Sequence, residues 1–401
     1  MDSNKRDLAL LLISRSTRNF ASGFIAVVIG LYYLYSLHLS LFKIGILFGV
    51  GAFSVPLIVL LLGSLGDKYG RKNILIITLL FTPIAILILL YTTYYPLLLV
   101  SSALGGFGVA GGIVGGGVGA SVAPMQTALL AEKTNTENRT FFYTLFSIVS
   151  SLAGSAGALL SYINNYTILF YISLFFYFLS FMSVLPIKEN FRSNKNKNVK
   201  NPMSEKDKSM IKKFSITGAF NGLGQGLIIP FIPIIFSKHF HMTNGFIGEI
   251  FAIGGVITAI AMIATPYLTE RLGFLDFITG SRIVSSIFIL VLAFSINPLM
   301  AIASYIIMTP SRAIALPSQQ ALMMNLVSER SRSTASGANQ STRLFPSALA
   351  TTFSGALLDE FSLYIPFTIS FGISFVNVFL YRYFFGTIPE ANKKGKVVIR
   401  E

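Results

Sequence analysis

Apolar stretches of about 20 residues recur along the whole chain. That is the length an α-helix needs to cross the roughly 30 Å hydrocarbon core of a bilayer. Charge is correspondingly scarce: 12% of the 401 residues are charged, against roughly 25% in soluble domains. The hydrophobic share is 53% and the mean hydropathy +0.69. The apolar windows predict twelve spans, at 8–37, 42–66, 73–94, 96–130, 140–162, 166–187, 212–237, 245–269, 275–296, 298–326, 334–358 and 362–386. The expected fold is an all-α membrane protein. The basic start MDSNKRDLALLLISRSTRNF lacks a clean apolar core ending in a small-residue cleavage site, so it reads as a retained first span.

A net charge of +15 on a soluble protein would raise nucleic-acid binding. Its location argues otherwise. With the N-terminus inside, cytoplasmic segments hold 23 Lys and Arg and external loops hold two, Lys43 and Lys238. Such a bias sets membrane topology, so both termini are expected in the cytoplasm of a multi-pass cell-membrane protein, with anionic lipid headgroups as neighbours. Nucleic acid is not an expected partner. Cysteine is absent, which excludes disulfides and thiol chemistry. Tryptophan is absent too, so an interfacial aromatic belt falls to tyrosines such as Tyr32, Tyr33, Tyr35, Tyr91, Tyr94 and Tyr95 near span ends.

The polar, Lys/Asn-rich segment KENFRSNKNKNVKNPMSEKDK separates six spans from six. It reads as a flexible linker, dividing a first bundle (1–187) from a second (212–401) across 188–211. The halves are copies. Gly23, Gly45, Asp67 and Gly70 match Gly226, Gly248, Glu270 and Gly273 at an offset of 203. Pro124, Gln126, Ala128 and Leu129 match Pro317, Gln319, Ala321 and Leu322, and Gly157 matches Gly355. Parallel repeats with a site at the midplane are one way transporters achieve alternating access.

Between the second and third spans stands Gly63-Ser64-Leu65-Gly66-Asp67-Lys68-Tyr69-Gly70-Arg71-Lys72. This resembles the G-x-L-x-D-x-x-G-R-K signature of the major facilitator superfamily, and a degenerate copy stands at Glu270–Gly273. The resemblance covers the full chain and implies the major facilitator fold, two pseudo-symmetric six-helix bundles rocking about a central cavity. Asp67 and Arg71 are four apart, hence neighbours if the helix persists through them, while Gly66 and Gly70 permit a tight turn. The resemblance implies that Asp67 faces span eleven and that Arg71 meets an acid at the end of span four, for which Glu132 is the matching residue. Gly63, Asp67, Gly70, Arg71 and Glu132 are therefore the expected conformational latch. Ala153-Gly154-Ser155-Ala156-Gly157-Ala158 in span five has the small residues of a drug-exporter signature without its proline.

Six arginines fall within predicted spans. Intramembrane charges are costly and mark functional sites by default. Arg15, Arg282 and Arg382 lie within two or three turns of a cytoplasmic end and are expected to snorkel. Arg18, Arg312 and Arg343 are deeper and are the candidate ligands for an anionic substrate group; the competing role is bonding carbonyls freed at Pro310, Pro317 and Pro346. Asn221, Gln225 and Asn339, with Gln340, Gln126 and Gln319, are polar residues on the same helices. Glu249, an acid inside a span, is the candidate for a coupling proton.

Span four carries nine glycines from Gly105 to Gly119. Gly106-Phe-Gly108-Val-Ala-Gly111 fits G-x-G-x-x-G but lacks a strand–turn–helix context, so small-residue helix contacts every four positions are expected instead. No Walker motif, metal-spaced His/Cys cluster or Ser/His/Asp set is visible, which argues against an enzyme, a cofactor or a metal. The expected function is secondary active transport of a small, anionic organic solute by a monomer in contact with lipid. The alternatives are an exporter of amphipathic drugs or lipids and, more remotely, a membrane receptor or membrane-embedded enzyme.

Overall fold

A computed structural model describes residues 3–109, 119–134, 136–189, 203–328 and 331–392. The regular structure in these segments is helical. The first half holds α1 (Ser3–Leu31), α2 (Leu41–Tyr69), α3 (Arg71–Tyr91), α4 (Tyr95–Gly105), α5 (Ala123–Lys133), α6 (Thr136–Ala158) and α7 (Tyr166–Val184). The second holds α8 (Glu205–Gly226), α9 (Ile232–Phe240), α10 (Asn244–Leu272), α11 (Phe274–Ala293), α12 (Pro298–Leu326), α13 (Arg332–Glu360), α14 (Tyr364–Phe385) and the short α15 (Pro389–Asn392). Ten of the described helical segments are long and apolar enough to cross a membrane. Side chains start several of them: Asn165, Ser204, Thr243 and Asn297 each accept from a backbone N–H three residues on, satisfying a donor the first turn leaves open. The Ser204 cap starts α8 inside the segment 188–211 expected to be linker.

Two spans are broken, which the apolar windows did not anticipate. Span four, expected to run unbroken over 96–130, is helical as α4 and again as α5. Gly106, Gly108 and Gly119 have φ of 62°, 83° and 74°, a region that interrupts a right-handed helix. The helical small-residue stripe expected there is contradicted at its described ends, Gly108 and Gly119; its other members lie outside the described residues. Span seven breaks between α8 and α9 through a 3-10 turn at Ile229–Phe231, where Pro230 and Pro233 remove N–H donors. Hydroxyls from neighbouring helices take up the carbonyls there: Thr351 donates to Gly226, Ser354 to Leu227 and Ser370 to Gly224.

The repeat extends to backbone detail. His38 and His241, 203 residues apart, are the two non-glycine residues of positive φ among those described, at 50° and 54°. Each ends its helix in the same way, followed by Leu39 N–H to Tyr33 C=O and Met242 N–H to Phe236 C=O. Gly70 and Gly273 take φ/ψ of 96°/139° and 87°/155° before α3 and α11, a conformation open essentially to glycine.

Apolar packing divides the molecule along its length. One core is shared by both halves at the end away from the termini, including Ile25, Val28 and Phe48 with Phe231, Ile234 and Ile247. At the other end two cores form separately, Leu11, Leu75 and Val184 within the first half and Phe214, Leu322 and Phe385 within the second. The halves meet through α2 against α13 and α6 against α10. At the shared end Asp359 accepts from Leu41 N and Phe42 N at 3.1 and 2.9 Å, Tyr35 bonds Ser237 and Asn244 bonds Tyr166. Ser151 donates to the Gly255 carbonyl deeper in.

Candidate central cleft

The break in span seven positions a polar cleft in the second half. Asn221 and Gln225 reach it from α8, Arg282 and Ser286 from α11, Arg312 from α12, and Asn377 from α14. Discontinuous helices of this kind recur at transporter binding sites, where irregular backbone lines a cavity. Gln225 donates to Asn221 at 3.0 Å, which fixes both amides at the rim. Nη1 of Arg312 is buried without a hydrogen-bond partner, and no Asp or Glu is among the described residues lining the cleft. A half-buried guanidinium with an unpartnered donor and no acid among the described residues around it is a ready seat for an oxyanion, because a charge drawn from water is costly until paired.

The sequence-predicted residues do not all converge there. Arg312, Asn221 and Gln225 share the cleft, and Arg343 on α13 lies within electrostatic reach of Arg312. Arg18 does not line it: it is buried in the first half and donates from Nη1 to the Gly119 carbonyl at 3.0 Å, at the break in span four. That geometry is the competing role, a bond to a freed carbonyl. Asn339 points within the second half and accepts from Gln319 at 3.3 Å. Glu249 sits half-buried at the interface between halves, paired with the hydroxyl of Tyr162.

Arg282 is a correction. It was expected to snorkel, yet it is 7% exposed. Nη2 donates to Gln319 Oε1 at 2.7 Å, and the guanidinium lies 4.2 Å from the centroid of the Tyr381 ring. Distance from a helix end gave its depth but not the direction it faces. Arg382 is exposed and paired with Asp276 at 3.1 Å, as a charge near the helix end should be. Arg15 is half-buried and bonded to Ser150.

Of the expected latch, the side chains of Gly63 and Asp67 lie outside the described residues. Gly70 makes the turn described above. Glu132 is on the exposed end of α5. An acid that sequence reasoning missed, Glu189, also meets the start of α3, accepting from Arg71 N at 2.6 Å and Lys72 N at 3.0 Å. A carboxylate there complements the helix dipole. Also missed were two buried acids at equivalent places: Asp7 pairs with Lys133 at 2.8 Å, and Asp207 accepts from Ser328 and Ser331. Their offset of 200, close to that of the repeat, was the available signal.

The exporter-like segment in span five is accounted for by packing. A Cβ on Gly157 would stand against the Phe20 carbonyl, and Ser155 lies against Gly255, so small residues allow α6 to cross α1 and α10 closely.

A family model described as Major Facilitator Superfamily matches residues 11–215 and again 214–400. No curated protein sequence matches the chain. Among solved structures, a D-xylose-proton symporter superimposes with a TM-score of 0.77 at 13% identity, over 98% of this chain and 99% of that one. The nucleoside transporter NupG gives 0.70 at 15% identity, over 96% and 99%. The human organic anion transporter MFSD10 (TETRAN) gives 0.66 at 12% identity, over 95% and 100%. Identities this low establish a common fold.

Proposed function

The chain belongs to the major facilitator superfamily, a multi-pass membrane transporter rather than an enzyme, and from that premise we propose that it is a secondary active carrier of a small organic anion. The family's fold accommodates nucleosides, a sugar and organic anions in the proteins named above, so substrate chemistry has to be read from the cleft. The observation that carries the reading is the Arg312 guanidinium, with a buried, unpartnered Nη1 in a cleft that no acid lines among the described residues. Hydrogen bonds from guanidinium to carboxylate or phosphate are charge-assisted and often bidentate, and Asn221 and Gln225 add uncharged contacts beside it.

With both termini in the cytoplasm, as the Lys/Arg bias argues, the shared core seals the external end. The separate cores leave the cytoplasmic ends of the bundles independent, which is the inward-facing member of an alternating-access pair. Asp67, Arg71 and Glu132 are proposed to latch the cytoplasmic end when it closes. Glu249 is proposed to carry a coupling proton, since it stands on α10 against Tyr162 of the opposite half, where a change in its protonation would bear on the contact between halves. Arg343 joins the anion site through its proximity to Arg312, whereas Arg18 is assigned a supporting bond to Gly119.

The test is a thermal-shift screen of the purified protein against organic anions, cations and lipids, followed by calorimetry. Arg312→Ala should weaken binding of an anionic hit by roughly ten- to a hundredfold, the scale of a hydrogen bond to a charged group. A neutral or cationic ligand that binds equally well to Arg312→Ala would replace this reading with the drug-exporter one.

A further inference from the structure

Arg312 is not alone in the cleft. Arg282 faces it from α11, and its Nη1 is likewise buried without a hydrogen-bond partner. The rest of the Arg282 side chain is held firmly: Gln319 fixes Nη2, and the Tyr381 ring lies under the guanidinium plane. Gln319 is in turn anchored, donating to Asn339. A guanidinium held on one edge and one face, with Nη1 unpartnered on a residue that lines the cleft, has a donor left for a ligand. That leaves a second unpartnered guanidinium donor on a residue lining the same cleft as Arg312. Asn377, 1% exposed, completes the wall with an unpartnered Oδ1.

Two guanidiniums in one cleft, one buried and one half-buried, with no carboxylate among its described lining residues, leave about two positive charges there uncompensated. A monovalent anion would balance only one of them, and an isolated buried charge is expensive. We propose that Arg282 and Arg312 together seat a doubly charged oxyanion, so that the carried solute bears either a phosphate monoester or two carboxylates. This deepens the anion-carrier reading and rests on it. Arg282 is then a substrate-contacting residue and Gln319 positions it.

The experiment is calorimetric binding of inorganic phosphate, succinate and acetate to the full chain at mildly alkaline pH. Phosphate and succinate separate the two chemical forms of a dianion, and acetate reports monovalent binding. The wild type should favour at least one dianion over acetate by about tenfold or more. Arg282→Gln and Arg312→Gln should each lower dianion affinity by roughly ten- to a hundredfold, and each should erase the preference for dianion over acetate. A residue that only supports the fold would not alter charge selectivity. Exposed Arg382→Gln should bind as the wild type does.

If Arg282→Gln fails to fold, Arg282→Lys decides. A lysine keeps the charge but cannot reproduce the planar fork that bonds Gln319 and ligand together, so dianion affinity should fall at least several-fold; unchanged affinity overturns the proposal. If Arg312→Gln abolishes anion binding while Arg282→Gln leaves affinity and selectivity intact, the carrier reading stands and the role of Arg282 falls. If acetate binds as tightly as both dianions, the doubly charged seat falls. If the wild type binds none of the three anions but does bind a cation or neutral solute, both fall.

Discussion

Gly45 on α2 crosses Gly355 on α13 so closely that a Cβ on Gly45 would stand 2.8 Å from the Gly355 Cα. The related pair is Gly248 on α10 and Ala158 on α6, where a Cβ on Gly248 would stand 2.3 Å from the Ala158 carbonyl oxygen. Two small-residue crossings related by the repeat thus hold the halves together at the sealed end. In a membrane, close backbone approach replaces the hydrophobic effect as the main source of helix association.

Gly45→Val should weaken the sealed state by about 1–3 kcal/mol, the usual cost of overpacking. The readout is the distance distribution between spin labels at Tyr35→Cys and Ser237→Cys, a pair now in hydrogen-bond contact. The chain has no cysteine of its own to label. A distribution that stays short in Gly45→Val would show that this crossing does not govern the seal.

Asp359→Ala should act in the same direction more gently. Its carboxylate caps the first turn of α2 from the opposite half, and loss of a cap typically costs about 0.5–2 kcal/mol. The same label pair should show a larger open fraction, and Asp359→Asn should restore part of the seal.

Arg18→Gln should lower the thermal-unfolding midpoint while leaving anion affinity near that of the wild type. Its bond to Gly119 supports the broken part of span four, and hydrogen bonds to charged groups contribute about 1.5–3 kcal/mol. A large loss of affinity without loss of stability would move Arg18 into the binding site.

Glu249→Gln should abolish accumulation driven by a pH gradient in proteoliposomes while sparing substrate exchange. Gradient-driven uptake that survives the substitution would place coupling elsewhere or make the protein a uniporter.

Asp67→Asn should raise labelling of single cysteines placed between the cytoplasmic ends of the bundles. Labelling that does not change would remove Asp67 from the latch.

The spans were legible because lipid imposes a length and a composition that a window can count, and the repeat because glycines such as Gly45 and Gly273 occupy positions where backbones meet or turn. Side-chain direction was not. Arg282 and Arg382 both fall within two or three turns of a predicted span end, yet one is wired to Gln319 and the other is exposed beside Asp276. Which way each points depends on tertiary packing that axial distance does not encode. Span four looked continuous because glycine is apolar enough to pass a hydropathy window while allowing the positive φ seen at Gly106. Partners such as Lys133 for Asp7 stand more than a hundred residues away and leave no local trace.

The unequal division of apolar cores bears on the energetics of the cycle. Parting the sealed end would take Ile25, Val28, Phe231 and Ile234 out of a common core and offer them to water, at about 25 cal/mol for each Å² uncovered. A transporter that must visit both states at similar free energy cannot absorb that penalty unopposed. Comparable oily area has to be covered at the opposite end in the same motion. The ends of the bundles that stand apart are thus half of a seesaw, and a substitution that makes them less greasy should bias the protein toward the state in which they are apart without touching the substrate.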